Sequence, residues 1–381
     1  MAESNWVDFI VFFVPFGLVF IYFVLISSIL TTWDNTEETL IKDDGKGELI
    51  GFSIIIPARN EAQNIRACID AVTSLDYPLD KVEVIVVNDN SNDDTIEVVA
   101  NIPRVNLISL KDANGKKAAL QAGINAAKHT WIWTIDADAV LNPKAAKLLN
   151  EKIKLHNPHF VSCPVVIEPS KKTLSRFQFL DMAAMMAITC HGIYSKSFYL
   201  ANGANMAFLK TAFDDVNGFD GNENIASGDD VFLIKKMAQK DKSKVHFLKS
   251  SRAAVTTEPM ISYSEFFNQR KRWAAKTKSY ASSGLLKVQG YVFFIHLLIV
   301  LLFLAGVFFG VGIAFFSGLF VLFIKAVIDF FFLSKMASYF NRKDALKSFI
   351  NAFLFYFVYI FFTAYQATFA GKYKWKGRSQ G

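Results

Sequence analysis

The chain lacks the glycine motifs that cradle phosphates. No G-x-G-x-x-G follows a strand-like run and no G-x-x-x-x-G-K-[ST] occurs, so a dinucleotide-binding oxidoreductase and a P-loop enzyme are both unsupported. Cysteine is scarce. Cys68, Cys163 and Cys190 form no C-x-x-C and cannot all pair, which fits a reduced cytosolic domain and gives no sign of a zinc site. Lys and Arg are missing from the N-flank "MAESNW", and the apolar run after it is longer than that of a signal peptide, so it reads as a retained anchor. Internal repeats and low-complexity segments are absent as well.

Long apolar runs are plentiful. Hydrophobic residues make up 52% of the 381, with 38 Phe, above the roughly 45–50% of globular domains. Residues 7–30, 289–334 and 349–370 carry the excess. A membrane helix takes about 20 such residues, so the first run makes one span and the second has room for two. The third is also long enough to cross. The chain reads as an integral membrane protein. Much of its net charge of +7 clusters in "NQRKRWAAKTK" (268–278), "NRKDALK" (341–347) and "GKYKWKGR" (371–378). Basic residues beside spans favour the cytoplasmic face and anionic lipid, so the expected partner is the bilayer and not nucleic acid. A full crossing by the third run would strand residues 371–378 outside, against that tendency. An interfacial or re-entrant third segment, or a different span count within 289–334, would resolve the conflict.

Residues 31–50 are polar and acidic, a linker. Beyond them the hydrophobic period alternates: "GFSIIIPA", "KVEVIVVND", "VNLISL" and "WIWTIDA" read as strands, with helical patterns between them. This alternation predicts an α/β fold with a mostly parallel sheet, in which ligands gather beyond the carboxyl ends of the strands. Arg59, Asn60, Glu61, Asp89, Asp136 and Asp138 fall there. Asp136 and Asp138 form the only D-x-D. On an extended strand they would share a face, and such a pair of carboxylates suits a hard cation, Mg²⁺ or Mn²⁺, shared with substrate phosphates. Two exposed turn acids would look the same in isolation. Asp229 and Asp230 open the amphipathic run "DDVFLI", either as a general base or as acids stabilising a helix start. Gln269, Arg272 and Trp273 in "QRKRW" lie at i, i+3 and i+4 and share a helix face. There Arg272 could neutralise a diphosphate and Trp273 wall an acceptor, while Arg270, Lys271, Lys276 and Lys278 keep other faces for the bilayer surface. His191, the methionines at 182–186 and the Lys325/Asp329 pair read as packing groups, not catalysts.

The ordered set "SIIIPARNEAQNI", "VIVVNDNSNDDT", "GKKAALQAGI", "TIDADA", "NGANMAF", "GDDVFL" and "QRKRW" resembles a membrane-bound family 2 glycosyltransferase over residues 51 to about 280. The resemblance implies an A-type glycosyltransferase fold that binds a nucleotide sugar, usually a uridine diphosphate sugar, with N- and C-terminal transmembrane helices. It implies metal-dependent, inverting transfer at the cytoplasmic face of a bacterial inner membrane, to a membrane lipid or lipid-linked glycan. Carried over by motif, Pro57, Ala58, Glu61, Asp89 and Lys116 or Lys117 would line the donor pocket. Asp136 would hold nucleoside or metal, and Asp138 the metal. Asp230 would be the base with Asp229 beside it, and Gln269, Arg272 and Trp273 would hold diphosphate and acceptor. The family usually has two aspartates where this chain has Asn88–Asp89, so a charge is lost there. The expected organisation is an anchor (1–30), a linker (31–50), a catalytic domain (51–255), an interfacial segment (256–288), a C-terminal membrane region (289–370) and a basic tail (371–381). Competing expectations are a processive polysaccharide synthase and an inactive nucleotide-sugar-binding subunit; oligomeric state is open.

Overall fold

The computed structural model describes residues 2–42, 48–111, 115–221, 228–280, 283–369, 373–375 and 378–380. In chain order the elements are α1 (Ala2–Asn35), β1 (Phe52–Ala58), α2 (Ile65–Thr73), β2 (Val82–Asn88), α3 (Thr95–Ala100), β3 (Val105–Ser109), α4 (Lys116–Ala126), β4 (Trp131–Ile135) and β5 (Ala139–Val140). There follow α5 (Ala145–His156), β6 (Phe160–Ser162), β7 (Val165–Ile167), α6 (Thr173–Tyr194), β8 (Asn205–Leu209), α7 (Lys210–Asp215), α8 (Asp229–Lys240), β9 (Val245–Phe247) and β10 (Val255–Thr257). Helices α9 (Tyr263–Tyr280), α10 (Ser283–Phe308), α11 (Gly312–Tyr339) and α12 (Phe349–Phe369) close the described chain apart from a short terminal hairpin. Most of the basic tail, and the side chains of Lys276 and Lys278, lie outside the described residues.

Seven strands form one sheet in the order β3-β2-β1-β4-β8-β6-β9. Strands β1 to β4 are parallel, as their uninterrupted apolar runs predict, and β8 is antiparallel to both β4 and β6. Along β1 the side chains alternate between two cores: Phe52, Ile54 and Ile56 face one, Ile55 the other. Ile55 meets α4 at Gly123, where an added Cβ would sit 2.5 Å from Ile55 Cγ2. That glycine lets the helix close onto the sheet. A second, three-stranded sheet, β5-β10-β7, flanks the first.

Four helices are long and apolar enough to cross a membrane: Val11–Asn35, Gly284–Phe308, Gly312–Tyr339 and Lys343–Phe369. On α1 the buried residues Val19, Tyr22, Ile26, Ile29 and Trp33 recur every three or four positions, one stripe of the helix. The stripe packs on α6 and α11, which belong to the same core as Ile55. The membrane helices and the sheet thus share one apolar core. Helix α1 continues past the expected boundary at residue 30 because Trp33 is buried against Tyr339 and Phe247, with ring centres 4.9 and 6.0 Å away. Lys249 ends it: its ammonium donates to the Trp33 carbonyl and, at 2.7 Å, to that of Thr36. These are carbonyls that a helix end leaves without partners.

Candidate active site

The carboxyl ends of β1, β2 and β4 open into one cavity of about 1350 Å³. Pro57, Ala58, Arg59 and Glu61 follow β1 into its wall, and Asp89 joins from the end of β2. Arg59 Nη1 donates to the Asp89 carbonyl at 2.8 Å, and the Asp89 N–H donates to the Ala58 carbonyl at 2.8 Å, so the two strand ends are stitched together. Asp89 Oδ1 accepts the Gly115 N–H at 2.9 Å. Gly115 has φ +96°, a conformation that side chains disfavour, and it delivers Lys116 to the first turn of α4. Asn88, where the family pattern usually has an acid, is buried outside the cavity wall; its Oδ1 accepts the Ser91 N–H at 3.0 Å and shapes the turn after β2.

Asp136 and Asp138 both line the cavity, but not as neighbours on an extended strand. Strand β4 stops at Ile135, and the Ala139 N–H donates to the Asp136 carbonyl at 3.0 Å, closing a turn over the pair. The expected alternation fails because this turn sends the chain into β5. The two acids differ in surroundings. Asp136 Oδ1 is paired with Lys116 Nζ at 2.5 Å. Burial, then the charges of Asp136 and Glu61, push the Asp138 carboxyl up to about 6. Burial alone would lower Lys116, but Asp136, Asp230 and Asp229 outweigh it and hold the ammonium above its ordinary value. Among the described residues, no three His, Cys, Asp or Glu are placed to form a metal cage. A cation at Asp138 and Asp136 would therefore need further oxygens, and substrate phosphates supply them. The donor set fits a hard cation on those terms.

Lys116 also approaches Asp230. A Cβ built on Gly203 would lie 3.2 Å from Lys116 Nζ and 3.6 Å from Asp230 Oδ2, so this glycine leaves room where the two meet. Asp230 lines the cavity from the first turn of α8. Its Oδ2 accepts the Gly203 N–H and its Oδ1 the Val231 N–H, each at 2.8 Å. Asp229 lies outside the cavity wall, buried beside Lys117, whose Nζ is 3.9 Å from Asp229 Oδ1. Of the two lysines only Lys116 is part of the wall.

Gln269, Arg272 and Trp273 reach the cavity from α9, on the shared face that their spacing predicts. Arg270 departs from expectation. It is 2% exposed and paired with Asp181 of α6 at 3.0 Å, not turned to the bilayer surface. The reason is that α12 covers this side of α9: Phe266, Arg270 and Trp273, at i, i+4 and i+7, form a stripe against Tyr359. Asp181, Arg270, Tyr356 and Tyr359 are cavity residues that the sequence reading passed over. Asp181 carried a signal, as the only acid in an otherwise apolar helix; Arg270 was hidden among basic neighbours. Met182, Met185 and Met186 line the same wall, whereas His191 packs, its Nδ1 2.8 Å from Thr32 Oγ1. The three cysteines are free and buried.

Residues 53–215 match the family model described as glycosyl transferase family 2. Poly-beta-1,6-N-acetyl-D-glucosamine synthase of Staphylococcus aureus is 28% identical over 184 residues, 45% of this chain and 43% of that protein. The protein of the same description from Staphylococcus epidermidis is 27% identical over 192 residues, 48% of this chain and 44% of its own length. The match thus spans less than half the length of these curated relatives. Among solved structures, mannosyltransferase PcManGT from Pyrobaculum calidifontis, in complex with GDP-Man and Mn2+, aligns over 95% of this chain and 98% of its own. Its TM-score is 0.58 at 17% identity, a likeness of fold.

Proposed function

Since residues 53–215 are a family 2 glycosyltransferase domain on an A-type fold, we propose that the chain transfers a sugar, with inversion, from a uridine diphosphate sugar to a hydroxyl of a membrane lipid or lipid-linked glycan. The observation that carries this reading is the continuity of the cavity. It begins at Asp89, Asp138 and Asp230 and continues between α10 and α12 to Leu286, Tyr365 and Phe369, which are 51, 60 and 71% exposed on the apolar helices. Donor residues and bilayer-facing residues line one space, so a membrane-held acceptor reaches the donor without leaving the lipid.

Pro57, Ala58, Glu61 and Asp89 hold the nucleoside, and Lys116 and Arg272 the diphosphate. Asp138, with Asp136, holds a divalent cation, which when bound neutralises phosphate charge. Asp230 takes the proton of the attacking hydroxyl. Its two backbone N–H bonds fix the carboxylate, and each oxygen keeps a lone pair for the acceptor. Displacement at the anomeric carbon from the side opposite the diphosphate inverts the centre. Gln269 and Trp273 border the acceptor, and the apolar walls limit water.

Processive polymer synthesis is a second reading, favoured by what the staphylococcal relatives are named for. Incubating the full chain in nanodiscs with Mn²⁺, a panel of nucleotide sugars and membrane lipid extract tests both. A product of one or a few added sugars on a lipid supports the first. A long polymer supports the second, and no turnover with any donor overturns both.

A further inference from the structure

One patch of the cavity wall holds polar atoms that this transfer does not use. Asp181 and Arg270 form an ion pair in which the side chains are 11% and 3% exposed. The Arg270 guanidinium carbon lies 4.9, 4.2 and 5.5 Å from the ring centres of Phe266, Trp273 and Tyr359. Aromatic faces hold this cation in place. Yet Arg270 Nε and Nη2, Asp181 Oδ2 and Gln269 Oε1 make no hydrogen bond. Each such buried atom costs about 1–3 kcal/mol while it lacks a partner. Stability does not account for the pair, because apolar residues of similar volume would serve a buried position as well or better.

The idle atoms define their ligand. They are two donors and two acceptors, all facing one cavity beside aromatic rings. A phosphate would find the charge of Arg270 already balanced and would be repelled by Asp181. A lipid chain offers nothing to any of the four. A hydroxyl donates and accepts at once, and the hydroxyls of a sugar ring can serve carboxylate and guanidinium together. We propose that Asp181 and Arg270, with Gln269 beside them, bind a hydroxyl-bearing sugar ring of the acceptor. The acceptor is then a glycan or the sugar head of a glycolipid, and not a lipid phosphate or a simple lipid alcohol. This rests on the glycosyltransferase reading of the cavity and narrows its acceptor.

The test uses the full chain in detergent micelles and its variants Arg270→Lys, Asp181→Asn and the double variant Asp181→Leu/Arg270→Met, which removes both charges and keeps side-chain bulk. Binding is read from quenching of tryptophan fluorescence, with oligomers of glucose, of N-acetylglucosamine and of mannose, and separately with undecaprenyl monophosphate. Uridine diphosphate with Mn²⁺ is the control for the donor site. The expected result is that at least one oligosaccharide binds the wild type and binds every variant about tenfold or more weakly, with nucleotide affinity unchanged within about twofold. Three results overturn the inference: no oligosaccharide binding to the wild type, equal binding to wild type and variants, or loss of undecaprenyl monophosphate binding in place of sugar binding. A parallel fall in nucleotide affinity assigns the pair a structural role and overturns it too. Failure of uridine diphosphate to bind the wild type instead sinks the donor-site reading itself, so the two failures are distinct.

Discussion

Replacing Asp138 with asparagine separates the cost of this carboxylate from its use. Burial, reinforced by Asp136 and Glu61, raises its carboxyl from 3.8 to about 6. The folded chain therefore holds this proton more tightly than the unfolded chain does. The associated stability is fully present below pH ~4 and is lost as pH rises through about 6. A shift of this size corresponds to at most about 3 kcal/mol, felt in full at pH 7.5 when no cation is present. Asp138→Asn removes the charge, so without metal the variant should melt several degrees above wild type at pH 7.5 and gain much less at pH 4.5. A cation must displace the same proton, so Mn²⁺ with uridine diphosphate should stabilise the wild type, with apparent metal affinity falling about tenfold per unit below pH 6. It should do little for Asp138→Asn. Melting followed by intrinsic fluorescence in detergent reads both effects. A variant that melts at or below wild type at pH 7.5 without metal, or that gains as much from Mn²⁺ and nucleotide, refutes the reasoning.

Asp230→Asn should abolish transfer yet leave nucleotide binding within about twofold; turnover at the wild-type rate in a nanodisc assay would remove Asp230 as the base. Gly123→Ala places a methyl 2.5 Å from Ile55 Cγ2 and should cost about 1–3 kcal/mol, read as a lower melting temperature with unchanged nucleotide affinity. Lys249→Met leaves the Trp33 and Thr36 carbonyls without their donor. It should cost a similar amount, and limited proteolysis between residues 36 and 50 should quicken. A tag at the C-terminus should share the accessibility of one inserted in the catalytic domain, tested in intact and permeabilised cells.

The half of the sheet from β1 to β4 was legible because each strand is a continuous apolar run ended by turn residues. The other half was not. Strands β6 and β9 have three residues each, too few for any periodicity, and nothing local in "NMAFL" marks β8 as antiparallel. The stripe of α1 was hidden for the opposite reason: every face of that helix is apolar, so only tertiary contact singles out Val19, Tyr22, Ile26, Ile29 and Trp33. In the site, the motif order pointed to residues that do converge on one cavity, apart from Asp229 and Lys117. Spacing alone could not separate Asp229 from Asp230, since adjacent helical positions point about 100° apart and only the docked helix decides which meets the cavity.

The orientation of α12 bears on the topology that the charge pattern left open. Phe293 meets Phe361 and His296 meets Phe357, with ring centres 5.5 and 4.7 Å apart, so α12 runs antiparallel to α10. Its last residues are therefore level with the start of α10, and Leu285, Gln289, Tyr365 and Phe369 line the same cavity. The start of α12 is tied to the catalytic domain as well. Arg342 pairs with Glu168 at 2.9 Å, and Arg176 Nη1 donates to Ser348 Oγ at 3.2 Å. Both ends of α12 thus lie on the side of the catalytic domain, although its length and composition would allow a crossing. A helix so placed roofs α9 and walls the acceptor cavity. It also leaves the basic tail on the side of the catalytic domain, which removes the conflict with the positive-inside tendency. The same packing that buries Arg270 therefore explains why an apolar segment of this length is followed by so many cations.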